Sequence, residues 1–236
     1  MKRRVKLRAI CALILAVGMG AAILFSDLLR RPEQQVFAPA GRVETVLVID
    51  PGHGGEDGGA VSVSGVPESG INLAIALKCD QLAGIFGVPV TLLRTDDTSL
   101  AGPDAVTLRE KKRSDLQRRV QIVNDTPNAV LLSIHQNQFT NARYSGAQVF
   151  FRPEERSQRW AVETQELLRT QLAPDNDRQA KEIPEEIYLM SHIQCSAILV
   201  ECGFLSNPEE DTRLQTEDYQ SRLAVVLLGS FLQNMQ

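Results

Sequence analysis

The chain has only three histidines, four cysteines and one tryptophan in 236 residues. No two cysteines are spaced as C-x-x-C, so a cysteine metal site has no frame on which to form. Disulfides fare no better. Cys195 and Cys202 flank one apolar run and would stand roughly 20 Å apart if extended, beyond disulfide reach. Cys11 falls in the N-terminal apolar segment, and Cys79 lies in a helical pattern with no evident partner. The cysteines therefore read as small core residues. An excess of positive charge is also missing: the net charge is -4. That gives no reason to expect nucleic acid as a partner. Internal repeats and low-complexity stretches are absent, which excludes a solenoid.

What is present begins with Met1-Lys-Arg-Arg-Val-Lys-Leu-Arg8, a basic stretch, followed by Ala9 to Phe25 without a charge. A run of this length is at the lower limit for crossing a bilayer, about 17 residues. The leading bases would keep the N-terminus in the cytoplasm and the rest of the chain outside. A cleaved signal would have a shorter apolar core, about 7–15 residues, followed directly by a small-residue site. Here Ser26-Asp-Leu-Leu-Arg-Arg31 follows instead, so the segment reads as an uncleaved anchor over residues 1–30. Gly18 and Gly20 and the lack of an amphipathic pattern argue against a core helix. Residues 31–43 are polar and Pro-bearing and read as a linker. The body is then extracytoplasmic, membrane-anchored or, if the segment is cut, secreted.

From residue 44 to residue 236 the pattern alternates, with enough chain for one domain of roughly 100–200 residues. Apolar runs predict strands at Thr45–Ile49, Val88–Leu93, Val130–Ile134, Ala147–Phe151 and Ala197–Val200. Such continuous runs suit strands covered on both faces. Helical spacing predicts helices over Ile71–Leu82, Thr107–Asn124, Glu154–Leu172 and Asp218–Gln233. The expected fold class is α/β, a twisted and mostly parallel central sheet flanked by helices. Ala173–Gln194, punctuated by Pro174 and Pro184, is expected to wrap near the site as a loop or short strand.

Two of the three histidines follow predicted strands, and the C-terminal edge of such strands is where ligands bind. His53 sits in Asp50-Pro-Gly-His-Gly-Gly55, where glycines let backbone approach a metal or substrate. Asp50, three residues back, is placed to accept the ring's second N–H. His135 sits in Ser133-Ile-His-Gln-Asn137, and Asn137 is a candidate for holding that ring or facing substrate. Glu68 precedes a helix and fits either a metal ligand or ordinary complementing of the helix dipole. Glu201 ends the most apolar run, where a carboxylate is costly to bury unpaired; it is either paired with a cation or kept for acid–base work. His192 reads as a surface histidine. A His, Glu, His set with a further Glu has the makings of a catalytic zinc site and a general base.

These residues are embedded in longer motifs: Ile49-Asp-Pro-Gly-His-Gly-Gly55, Glu68-x-x-x-Asn72-Leu73, Leu92-Leu-Arg-Thr-Asp96, Leu116-x-x-Arg-x-x-x-x-x-Asn124, Ser133-Ile-His-x-Asn137 and Leu199-Val-Glu-Cys-Gly-Phe-Leu-Ser-Asn207. In this order they resemble the zinc-dependent N-acetylmuramoyl-L-alanine amidases of bacterial peptidoglycan, over nearly all of the chain after residue 43. The resemblance implies a zinc hydrolase/phosphorylase-like fold and makes residues 44–236 the catalytic domain. It also implies Zn2+ on His53, Glu68 and His135, with Glu201 as the catalytic carboxylate and peptidoglycan muropeptides as substrate. The compact layout is similar to the germination-specific amidases of spore formers, which implies cleavage that prepares muramic acid for conversion to a lactam. The family often has proline before the last strand, where this chain has Gln194-Cys-Ser-Ala197. No long insertion is present to plug the site, so control would come from an activating protein partner. Alternatives from other classes are a zinc carboxypeptidase or deacetylase, and a catalytically silent wall scaffold. Arg109-Glu-Lys-Lys-Arg113 with Arg118-Arg119 reads as a solvated helix face rather than a polyanion site. Arg118 or Arg119 is a candidate for contacting peptide carboxylates, and only Arg119 matches the family's arginine before Val120.

Overall fold

The computed structural model describes residues 45–234. The expected anchor (1–30) and the expected linker (31–43) lie outside the described residues. Among those described, no helix is long and apolar enough to cross a membrane.

Six strands form one sheet: β1 (Val46–Pro51), β2 (Val90–Leu92), β3 (Ala129–Asn137), β4 (Gln148–Phe151), β5 (Lys181–Glu182) and β6 (Ser196–Phe204). Their order is β2-β1-β3-β6-β4-β5. All neighbours run parallel except β4 and β6, which are antiparallel, so the sheet is mixed but mostly parallel as expected. The helices are α1 (Glu68–Ile85), α2 (Leu108–Asp125), α3 (Glu155–Leu172), α4 (Tyr188–His192), α5 (Pro208–Leu214) and α6 (Glu217–Asn234). The stretch Ala173–Gln194, whose prolines predict a loop or short strand, contains edge strand β5 and also the short helix α4.

Both sheet faces are covered, which is why the strands read as unbroken apolar runs. On one face Leu47, Ile49, Leu132, Ile134, Ile198 and Val200 pack against α1, α3 and α6, with Trp160 and Phe231 fully buried. On the other Val48, Leu131, Ala197 and Leu199 pack against Val123 of α2 and Leu189 and Met190 of α4. Cys79 and Cys202 are buried free thiols, and Cys195 is free and partly buried. They are core residues, as expected; Cys11 lies outside the described residues.

Strand alternation positions the site. Side chains two apart share a face, so Asp50 follows Val48, Ser133 and His135 follow Leu131, and Glu201 follows Leu199, all onto the α2 side. Register aligns them: Asp50 pairs with Ser133, and His135 with Glu201. The next pair is Asn137 with Phe204, so β6 spends three residues where β3 spends two. This bulge falls immediately beyond Glu201, a common device beside sites. It also carries β6 on to Phe204, whereas the apolar run predicted an end at Val200.

Candidate metal centre

The loop after β1 delivers His53 in a left-handed conformation (φ 63°). For a residue with a side chain this costs of order 1–3 kcal/mol unless neighbours enforce it. Two arginines do so. Arg94 donates to the carbonyls of Pro51 (2.9 Å) and Gly52 (3.0 Å). Arg119 donates to those of Pro51 (3.1 Å) and His53 (2.7 Å).

His53, Glu68 and His135 converge, with one ligand atom from each within 4.8 Å of the others. His53 Nε2 lies 3.4 Å from Glu68 Oε2. His135 Nδ1 lies 3.0 Å from Glu68 Oε1. The rings meet edge to face with centroids 5.0 Å apart. Glu68, at the first turn of α1, is buried and tightly held. Its Oε1 accepts from Gln136 N (3.0 Å) and Asn72 Nδ2 (3.1 Å), and its Oε2 from Ala60 N (2.9 Å). Burial opposes its ionisation, but the hydrogen bond from His135 and the charges of both histidines outweigh this and hold the carboxyl at about 2. The same pairing raises His135 above the ordinary imidazole value despite its burial. Two imidazole nitrogens and a carboxylate oxygen are the donor set of a catalytic zinc site with open positions, and they could hold such an ion here.

The glycines of the loop serve close approach. A Cβ on Gly52 would stand 2.1–2.6 Å from the His135 ring, and one on Gly59 would stand 2.6 Å from Glu68 Oε2 and 2.7 Å from His53. Gly52→Ala is therefore expected to displace His135 and lower metal affinity by about 10–100-fold, the cost typical of losing an orienting contact. Metal titration of a variant with unchanged circular dichroism checks this; wild-type affinity would mean that the ring has room to move.

Glu201 faces the same cavity, which has a volume of 370 Å³ and is also lined by Glu186 to Met190 from the segment leading into α4 and by α4 itself. Its Oε2 is shut off from solvent and accepts no hydrogen bond. Burial pushes the carboxyl up to about 7; His135 opposes the rise and Glu68 adds to it. A larger hollow of 760 Å³ shares His53, Asp57, Lys112 and Asp115 with this cavity. The chemistry belongs to the smaller one, where the ligand set and Glu201 meet.

Three sequence expectations need correction. Asp50 does not orient His53. Its strand position aims it at Arg119, whose Nη1 it accepts, and at Ser133 Oγ (2.6 Å). Asp57 meets the His53 ring instead, at 3.1 Å from Nδ1, because the turn Gly54–Asp57 folds back on itself. Of the two tasks expected of Asn137, only that of holding His135 is overturned: no hydrogen bond joins its side chain to that ring, and its carbonyl accepts from Leu205 N (2.8 Å), tying β3 to the chain beyond β6. Arg119 cannot reach substrate carboxylates, being 2% exposed and engaged with Asp50, Asp115, Pro51 and His53. Asn72, Arg94, Ser133 and Gln136 lay inside recognised motifs, but their tasks needed the tertiary contacts. His192 is exposed and stacked on Tyr188, with centroids 3.9 Å apart.

The family described as N-acetylmuramoyl-L-alanine amidase matches residues 47–229. The germination-specific N-acetylmuramoyl-L-alanine amidase of Bacillus subtilis (strain 168) is 35% identical over 180 residues, covering 76% of this chain and 75% of that protein. The solved CwlD amidase from Clostridioides difficile, in complex with the GerS lipoprotein, is similar with a TM-score of 0.78 and 34% identity, over 81% of this chain and 98% of that one. The N-acetylmuramoyl-L-alanine amidase from Clostridium difficile 630 gives 0.70 and 29%, over 80% and 96%. With the family match spanning most of its length and the His–Glu–His cluster in place, the chain belongs to the N-acetylmuramoyl-L-alanine amidase family.

Proposed function

We propose that this protein hydrolyses the amide joining the lactyl group of N-acetylmuramic acid to L-alanine in peptidoglycan, with zinc held by His53, Glu68 and His135. The observation that carries the reading is that Glu201, a buried carboxylate with one unpartnered oxygen, lines the same cavity as the three donors. Zinc, when bound, polarises the scissile carbonyl and makes water a competent nucleophile near neutral pH.

The chain's own residues do the rest. Glu201, raised to about 7 by burial, takes a proton from the attacking water as its oxygen bonds to the carbonyl carbon. It passes that proton to the alanine nitrogen as the C–N bond breaks, leaving a free amine and a lactyl carboxylic acid, which loses its proton to solvent. Asp57 orients His53, while Asn72 and Gln136 fix Glu68. Residues 44–236 serve as the catalytic domain. The basic and apolar N-terminal segment supports anchoring outside the cytoplasm, with residues 31–43 as the tether. The germination-specific relative supports a task in spore peptidoglycan, upstream of muramic lactam formation. The neighbour complexed with a lipoprotein supports control by a partner protein.

The test is digestion of muropeptides bearing intact stem peptides by the zinc-loaded chain, read by mass spectrometry. Free peptide with an L-alanine amino terminus is expected, and a chelator should abolish its release. Shortened stem peptides or deacetylated sugars would transfer the protein to another amide hydrolase class. Absence of bound zinc at micromolar metal would remove the mechanism.

A further inference from the structure

The three donors come from three places: His53 from the loop after β1, Glu68 from the first turn of α1, and His135 from β3. One side chain is bonded to all three segments. Asn72, one turn further along α1, is fully buried. Its Nδ2 donates to the carbonyl of Gly52 (3.2 Å), the residue before His53, and to Glu68 Oε1 (3.1 Å). Its Oδ1 accepts from Nε2 of Gln136 (3.1 Å), the residue after His135. Both amide hydrogens and the amide oxygen are thereby engaged.

This placement runs against local preference. Asparagine suits a helix interior poorly, because its side chain competes for backbone hydrogen bonds. A buried amide is also costly unless its partners are supplied. Ile71 and Ile75 beside it belong to the apolar core, where an apolar side chain of the same branched shape would cost less. The partners of Asn72 belong instead to the segments that carry the donors, and a local rule broken at such a point marks function. Gly52 tightens the link. Its carbonyl also accepts from Arg94 Nη2 (3.0 Å), and the same nitrogen donates to the carbonyl of Ser69 (2.8 Å), the residue after Glu68. Gly52 lies so close to the His135 ring that a Cβ there would stand 2.1–2.6 Å from it. Holding Gly52 therefore also holds the surface against which that ring rests.

We infer that Asn72 is a positioning residue that assembles the three-donor set before an ion arrives, its amide acting on the His53, Glu68 and His135 segments together. The inference rests on the metal reading above and goes beyond the fixing of Glu68. A donor set that is already ordered binds without first losing the freedom of its ligands. That share of the affinity should disappear with the amide. The Gln136 side chain reaches the donor set through its bond to Asn72, so its effect on metal binding is contained in that of Asn72.

The experiment uses the full chain, Asn72→Leu, Gln136→Leu and the double variant. Three quantities are measured: Zn2+ affinity by competition with a chromophoric chelator, the visible bands of bound Co2+, and the melting temperature without metal. Leucine keeps the branched shape of asparagine and none of its hydrogen bonds. Asn72→Leu should weaken Zn2+ by about 10–100-fold, the range for losing a group that orients metal ligands. It should also shift the Co2+ bands, which report donor geometry. Gln136→Leu should weaken Zn2+ by about three- to tenfold, the worth of one neutral hydrogen bond. Added to Asn72→Leu, it should change the affinity by no more than about twofold, the tolerance within which effects are taken as unchanged. A role in packing alone would lower the melting temperature and leave the affinity and Co2+ bands of the folded protein as they were; that result overturns the inference. A full second loss in the double variant overturns it too. If Asn72→Leu does not fold, Gln136→Leu decides: the stated loss with shifted Co2+ bands keeps the inference, and unaltered affinity ends it. Should the unaltered chain bind neither ion, the metal reading fails and the inference falls with it. Variants that bind like the unaltered chain end the inference alone.

Discussion

Glu201→Gln is expected to lower kcat on muropeptides by about 10²–10⁴-fold, the usual contribution of a positioned general base, while bound metal stays unchanged. Glutamine keeps the shape of the side chain but cannot take a proton. Stability should hold or increase. Oε2 of Glu201 is buried without a partner, and a neutral amide is cheaper to bury than a carboxylate. That combination of lost turnover, retained metal and an undiminished melting temperature is the signature of a group kept for chemistry at a cost in stability. Turnover, metal content and melting measured on one preparation distinguish the cases. Near-wild-type turnover would remove Glu201 from proton transfer, and metal lost together with activity would make it a ligand. The sign of the pH dependence follows. The base must be ionised, and its carboxyl sits at about 7 with no ion bound. A nearby cation favours ionisation, so the acid limb of the rate profile should lie below that value and vanish in the variant.

The central site was largely legible because strand periodicity is strict. Once Val46–Pro51, Ala129–Asn137 and Ser196–Phe204 are parallel neighbours, alternation alone sends Asp50, Ser133, His135 and Glu201 to one face. Apolar runs on both sides of those residues signalled a sheet covered by helices. The antiparallel direction of β4, the two-residue β5 and helix α5 gave weaker signals. β5 is too short to show a period, and α5 is marked mainly by its Asn207 cap and Pro208.

What stayed hidden depends on loop conformation. No spacing rule connects His53 with Asp57, because they meet only after the turn Gly54–Asp57 closes on itself. Asp50 lies nearer in sequence, but its side chain follows the strand and points toward α2. The bulge between His135–Glu201 and Asn137–Phe204 was equally invisible. Continuing β6 past Glu201 turns an apparent strand end into a carboxylate embedded in the sheet, with the desolvation that raises it. The cluster Arg109–Arg113 with Arg118 and Arg119 looked like one solvated face. The structure divides it: Arg119 is interior, Lys111 and Lys112 are paired, and Arg109 and Arg113 border a hollow.

Arg119→Met is expected to cost about 3–5 kcal/mol, the range for removing one member of a buried ion pair. In a chain of this size that is a melting decrease of roughly 6–20 °C. The guanidinium and Asp50 are each about 2% exposed. Burial alone would raise the Asp50 carboxyl, but Arg119, His135 and Ser133 together hold it below its ordinary value. A group depressed in this way contributes stability above the unfolded-state value of about 3.9 and loses it as pH falls through the folded value. Wild type should therefore keep this contribution until the pH is below the ordinary carboxylate range. In Arg119→Met the carboxyl loses its main counter-charge, so its value moves up and the sign of its contribution turns at neutral pH. Asp115 loses the same partner at less cost, because it is more exposed and still accepts from Leu100 N (2.7 Å). Adding Asp50→Leu removes the stranded charge, and the double variant should recover most of the melting temperature, as replacing whole buried pairs by apolar residues often does. Activity should not return with it. Arg119 also donates to the carbonyls of Pro51 and His53, and these bonds help enforce the left-handed backbone that presents the His53 ring. A double variant regaining both stability and turnover would show that Arg94 alone holds that loop; one that stays unstable would show that the pair contributes through more than its charge.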